Sequence, residues 1–112
     1  LLAVAVGSSH AMTTRDATLD FQLIAEIAES VSVPLVLHGS SGVNDRDLQR
    51  AVRAGMSKIN IATHLNHVFT DEIRKTLQAN PELVDPRKYI SLGRAAVSVE
   101  TARLLRILNL SE

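Results

Sequence analysis

The chain predicts an α/β fold in which three βα units follow one another and a helical extension closes the sequence. Three observations carry that expectation. Short apolar runs of strand length alternate with stretches of helical periodicity, and the junctions carry helix-capping and small residues. His10, His38 and Thr63 stand at the ends of the three runs, at the interval of one βα unit. Such alternation implies parallel strands joined by right-handed crossovers. The carboxyl ends of parallel strands open onto one face of the sheet, and function is expected there.

The first strand is read at Leu1-Leu2-Ala3-Val4-Ala5-Val6, a continuous apolar run of the kind found when both faces of a parallel strand are covered. A polar loop from Ala11 to Ala17 leads to Thr18 as N-cap, and Leu19, Leu23, Ile24, Ile27 and Ala28 then recur at helical spacing. The second strand is Val33-Pro34-Leu35-Val36-Leu37. Gly39-Ser40-Ser41-Gly42-Val43 follows it, then Asn44 as N-cap, a helix with Leu48, Ala51 and Val52 on one face, and Gly55 as its stop. The third strand is Ser57 to Ala62. Its period of two puts Ile59 and Ile61 on one side and Lys58, Asn60 and Ala62 on the other, so Lys58 and Asn60 point inward if the isoleucines meet the helices. Thr63 caps a third helix with Leu65, Val68, Phe69, Ile73 and Leu77 as its core face, ended by Asn80-Pro81. Asp85-Pro86-Arg87-Lys88-Tyr89 introduces a last helix whose apolar face is read at Ala95, Ala96, Val99, Ala102, Leu105 and Leu108 or their neighbours. That helix packs outside the sheet or against another subunit.

Composition removes several function classes. The chain has 112 residues, 12 basic and 12 acidic residues interspersed, and 3% aromatics, so it carries no electrostatic footprint for nucleic acid or an acidic surface. A small soluble partner is expected. The lack of cysteine removes disulfides, thiolate catalysis and Cys-type zinc sites, and fits a reducing, cytoplasmic setting. No apolar run approaches the roughly 18–20 residues that cross a bilayer, so no membrane is expected as partner. The chain opens at Leu1 inside a strand, which reads as a fragment, and three units are too few to close a (β/α)8 barrel of about 250 residues. On a barrel reading, residues 1–112 are the C-terminal part of one barrel domain: its last three βα units plus the extension.

The strand-end residues pair metal-ligand chemistry with phosphate-cradling chemistry. Imidazoles just past neighbouring parallel strands can converge on one ion, and a small-residue turn opening a helix offers amides to a phosphate. Each feature also has a plain structural reading. A lone His10 or His38 is a hydrogen-bonded structural histidine, and Gly39 to Gly42 is an ordinary βα turn; it is no nucleophile elbow, because Gly-x-Ser-x-Gly fails at Val43. Lys58 is read as a buried charge paired with a carboxylate in preference to a Schiff-base lysine. His64 and His67 form an i, i+3 pair with ligand spacing, and are expected to be solvated residues on an exposed helix. Arg87 either reaches a second phosphate, from a neighbouring subunit, or caps a helix.

Taken together, Gly7-Ser8-Ser9-His10, Pro34 to Val43, Lys58-Ile59-Asn60-Ile61-Ala62-Thr63 and Asp85-Pro86-Arg87-Lys88-Tyr89 resemble, in order and spacing, the C-terminal part of class II metal-dependent ketose-bisphosphate aldolases, the fructose- and tagatose-bisphosphate enzymes of carbohydrate metabolism and glycolysis. The resemblance spans essentially the whole chain, and four ordered blocks are far more specific than any one. It implies strands six, seven and eight of a (β/α)8 barrel. It also implies that His10 and His38 are two of three Zn2+ ligands, that Ala11 lies near the phosphate and a monovalent cation, and that Gly39, Ser40, Ser41, Asn60, Ile61, Ala62 and Thr63 hold the dihydroxyacetone-phosphate end of a phosphorylated sugar. The third zinc histidine and the proton-donating aspartate are expected upstream, leaving no catalytic acid in this chain and the fragment inactive by itself. A homo-oligomer, dimer or tetramer, is expected.

The chain departs from the family pattern at two positions. Ala11 replaces a usual glycine after the first histidine, and Ser40 replaces the middle glycine of His-Gly-Gly-Ser-Gly, so a glycine-only backbone there would be strained, while the added hydroxyl offers another phosphate donor. Ala62 stands where many fructose-type members carry aspartate and tagatose-type members alanine, which leans towards the latter. The chemistry suits these residue types. Cleavage of a ketose 1,6-bisphosphate to dihydroxyacetone phosphate and glyceraldehyde 3-phosphate leaves an enediolate, and zinc held by neutral imidazoles polarises the ketone without accepting a proton. Two other classes compete: a metal-free barrel that binds a phosphorylated sugar, and a half-barrel serving as a structural or assembly module.

Overall fold

The structure, a computed structural model, describes residues 1–9 and 14–110. Its elements run β1 (Leu2–Val4), α1 (Phe21–Ser30), β2 (Leu35–Leu37), a 3-10 turn (Ser40–Gly42), α2 (Asp45–Ala54), β3 (Met56–Ile59), α3 (Thr63–Ala79) and α4 (Pro86–Leu108). The strands form one parallel sheet in the order β1-β2-β3. Successive parallel neighbours joined through helices are the βα repeat that the alternation predicts.

β2 is the central strand, and all of its residues are buried, which matches its unbroken apolar run. β1 differs: Leu1 is 75% exposed and Leu2 38%, so this strand forms an open edge of the sheet. β3 starts at Met56, earlier than the alternation suggests. A register shift pairs Leu35 with Met56 but Val36 with Lys58, so Ser57 is an extra residue in the ladder. The bulge lies ahead of the alternating stretch, in which Ile59 and Ile61 pack against the core as the period of two predicts, and Lys58 is exposed in this chain.

Helix ends follow local chemistry, with two corrections. α1 is capped by Asp20, whose carboxylate accepts from the Leu23 amide, and Thr18 lies outside the helix. The Asp20 amide itself donates to Val6 O, so the chain is still returning from the strand when it passes Thr18. Asn44 caps α2 by accepting from Asp47 N, and Gly55 ends it at φ 123°. Thr63 does not cap α3: it is the first helical residue, and Ala62 before it supplies no side-chain acceptor. Asp85 caps α4 ahead of Pro86, a residue pre-shaped for the first helical turn.

The core lies between the sheet and the helices, where Val6, Ile24, Leu35, Leu37, Val43 and Leu48 are each at most 2% exposed. α3 and α4 form an antiparallel hairpin. At Gly93 the two helices approach so closely that a Cβ would stand 2.8 Å from the Phe69 ring. The buried positions of α4 are Gly93 and Leu104, whereas Val99 is 71% and Leu105 62% exposed. The packed face is thus rotated from the stripe read in the sequence, because a glycine and the charged pair Glu100 and Arg103 take part in the contact. The molecule measures 58 × 24 × 23 Å.

Candidate functional site

The site begins where β2 ends. His38 is half-buried at the carboxyl end of the central strand, and the Ser8 hydroxyl of the preceding unit donates to its carbonyl at 2.5 Å. The Asn60 carboxamide nitrogen lies 3.3 and 3.5 Å from the two His38 ring nitrogens, and the Asn60 amide donates to Leu37 O. The inward direction expected for Asn60 therefore holds, through the end of β3 and not through a continuous strand. His10 and Ala11 lie outside the described residues. Among the described residues no group of three or more His, Asp or Glu side chains is disposed to hold a metal ion. Among the described residues His38 supplies the imidazole at the strand ends, a donor suited to a zinc-class cation and one of the three such a site needs.

Beyond His38 the backbone turns sharply. Gly39 adopts φ 66°, and a Cβ on it would stand 2.4 Å from Ser9 O, so only glycine fits between the first two strand ends. Ser40 takes no such conformation, since Leu110 is the only non-glycine residue with positive φ among the described residues. The strain feared for a serine there is absent. Its hydroxyl is buried and donates to Leu37 O at 3.2 Å, inside the turn.

Ser41 has the connecting role. Its hydroxyl accepts from the His64 amide at 3.1 Å and so caps α3 from a different loop, in place of the cap expected from Thr63. The first turns of the 3-10 segment and of α3 consequently meet, and amides in the first turn of a helix have no partner within it. Ile61 packs its side chain against the core cluster, and Ala62 and Thr63 follow it to the start of α3 at the rim. A cleft of about 390 Å³ opens beside it, lined by Ala3, Val4, Ala5, Ser8 and His38. A larger cleft, about 690 Å³, runs from Ala5 to Leu23 and Arg50 and contains neither His38 nor the serine turn.

His64 is not the solvated residue that its helix position suggested. Its Nε2 lies 2.6 Å from Glu100 Oε1, with both side chains less than a quarter exposed. Arg103 grips Glu100 with two parallel bonds of 2.8 and 2.7 Å and reaches Asp45 with its other face. Asp45 also receives Arg15, whose guanidinium donates twice to Val43 O. The Arg103 bonds lead in drawing the Glu100 carboxyl down to about 2, against burial and with help from His64. At Asp45 burial pulls upward, but bonds and charge from Arg103 and Arg15 outweigh it and leave the carboxyl lowered. The same carboxylates raise the Arg103 guanidinium.

Sequence reasoning missed this ring. Its only local sign is the i, i+3 spacing of Glu100 and Arg103, which predicts that they pair but not which helices they face. His67 is exposed, as expected. Arg87 pairs with its own cap residue Asp85, and at 1.5 Å per residue it stands about 20 Å along α4 from Glu100. Within one chain it is remote from the rim. No helix among the described residues is long and apolar enough to cross a membrane.

The profile of the family described as fructose-bisphosphate aldolase class II matches residues 1–112. Among solved structures, the YdjI aldolase from Escherichia coli K12 is 32% identical with a TM-score of 0.79, over 95% of this chain and 38% of that one. A fructose-bisphosphate aldolase from Campylobacter jejuni is 21% identical with a TM-score of 0.76, over 96% of this chain and 39% of that one, a likeness of fold. The chain thus spans less than two-fifths of their length, close to the share that three units take of an eight-unit barrel.

Proposed function

The chain belongs to the class II fructose-bisphosphate aldolase family, and on that premise we propose that it supplies the dihydroxyacetone-phosphate end of the active site of a metal-dependent ketose-bisphosphate aldolase, as the last three βα units of its barrel. The observation that carries the proposal is the meeting of two amide-bearing helix starts at Ser41, beside His38 and Asn60. Main-chain amides in the serine turn and at Ala62 and Thr63 bind the phosphate, and the Gly39 turn lets the backbone come close to it. Ser40 braces the turn from within.

His38, with His10 from the neighbouring strand end, would hold a zinc ion. When bound, that ion supplies Lewis-acid polarisation of the ketone and stabilises negative charge on its oxygen. The Asn60 carboxamide, held at the end of β3, donates to a substrate oxygen on which charge develops as the carbon–carbon bond breaks. The proton-transfer groups come from elsewhere in the enzyme: Asp16 accepts from the Thr14 hydroxyl, and Asp20 caps α1. Ala62 favours a tagatose-type substrate over a fructose-type one.

Release of dihydroxyacetone phosphate from a ketose 1,6-bisphosphate by the full-length protein, with and without EDTA, tests this reading. Cleavage that the chelator abolishes and zinc restores is expected, with a steep rise in KM for Ser41→Glu. Chelator-resistant cleavage would sink the metal assignment, and an unchanged KM would move the phosphate elsewhere.

A further inference from the structure

The ring of charged side chains behind the rim closes on itself. The His64 amide donates to Ser41, and its imidazole meets Glu100. Glu100 is held by Arg103, Arg103 by Asp45, and Asp45 by Arg15, whose guanidinium returns to Val43 O, two residues after Ser41. Four separate segments therefore meet in one circuit: the loop after β1, the start of α2, the start of α3 and the middle of α4. Its contacts begin and end on the two backbone stretches that frame the phosphate position.

Stability alone is a weak reason for such a ring. Partly exposed ion pairs contribute little singly, and each fixes long side chains. Arg103 nevertheless uses its planar fork twice, bidentate to Glu100 and across both oxygens of Asp45, a geometry that sets direction as well as distance. What it sets is the placement of α3's first turn relative to the serine turn. A phosphate bridged by amides from both stretches is sensitive to that placement, because hydrogen bonds weaken steeply with misalignment.

We propose that Glu100 and Arg103 of α4 are positioning residues for the phosphate site: acting through His64 on one side and through Asp45 and Arg15 on the other, they hold the α3 start and the serine turn in the one arrangement that lets both donate to a single phosphate. The inference rests on the phosphate reading above. It makes α4 part of the binding machinery through residues that act on the site by way of others.

The test measures the dissociation constant of inorganic phosphate for the full-length protein by titration calorimetry, well below the melting temperature of each variant. Glu100→Gln keeps shape while removing charge, and is expected to weaken phosphate about tenfold, the scale of a charge-assisted hydrogen bond. Arg103→Lys keeps charge but loses the fork, and is expected to do the same. His64→Gln combined with Glu100→Gln should weaken phosphate no more than Glu100→Gln alone, since residues acting through one contact are not additive. Arg106→Met, exposed on the same helix outside the ring, should leave the constant unchanged, and Ser41→Glu should abolish binding. Normal phosphate affinity in both Glu100→Gln and Arg103→Lys, with binding lost in Ser41→Glu, would overturn the positioning role and leave the phosphate site standing. Additive effects of His64→Gln and Glu100→Gln would overturn it too. Absence of phosphate binding by the unmodified protein, or indifference to Ser41→Glu, would take down both readings.

Discussion

At Gly39 the backbone enters the left-handed region between two strand ends, and the space a side chain would occupy already holds Ser9 O. Gly39→Ala is expected to cost about 1–3 kcal/mol from backbone strain, with the clash added, and chemical denaturation measures it. The pattern His-Gly-Ser-Ser-Gly makes that glycine legible, because a small-residue turn after a strand needs positive φ somewhere. The inward turn of the Ser40 hydroxyl is not legible, since its acceptor is chosen by the packed turn and not by its neighbours in sequence. Glu100 gives a second expectation. Its carboxyl falls from 4.5 to about 2 on folding, chiefly through Arg103. A folded value below the unfolded one contributes stability that is complete above pH 4.5 and is lost as pH falls towards 2. Melting temperatures of the full-length protein across that window should decline less steeply with Glu100→Gln than without it. Equal slopes would mean that other carboxylates dominate the acid transition.

The elements themselves follow from periodicity and caps, and their errors have local causes. Asn44, Gly55, Asn80 and Asp85 act where the chain placed them, because each acts on amides or carbonyls within a turn of itself. Thr18 and Thr63 miss the cap position from opposite sides: Thr18 comes before the backbone has reached α1, and Thr63 already lies inside α3. Asp20→Ala should therefore cost about 1 kcal/mol, the usual loss of an N-cap. Thr18→Ala, at an exposed position outside the helix, should stay within about 0.5 kcal/mol. Thermal denaturation of the two variants side by side checks both, and a larger loss for Thr18 would reinstate it as a structural residue. In β3 the period of two places Ile59 and Ile61 on the core as expected, but it gives no sign of the bulge at Ser57. One extra residue in the ladder puts Lys58 opposite Val36, which period-two counting cannot foresee.

For the whole molecule, β1 presents a sheet edge and Leu1, Leu2 and Val33 are open to solvent. Apolar edges of that kind recruit other strands. The 112-residue chain in isolation is expected to bind an apolar dye, melt without a sharp transition, and show no aldol cleavage. A sharp cooperative melt would instead favour a self-standing module. The sequence by itself determined the βα order, the parallel sheet, the family and the strand-end position of His38, because these are written in short-range periodicity and in motifs whose chemistry is local. Only the tertiary structure decided that Ser41 caps α3, that His64 faces Glu100, and that α4 turns a charged seam towards the starts of α2 and α3. Those contacts join residues 23, 36 and 58 positions apart, and at such separations the partner of a side chain is set by how helices pack.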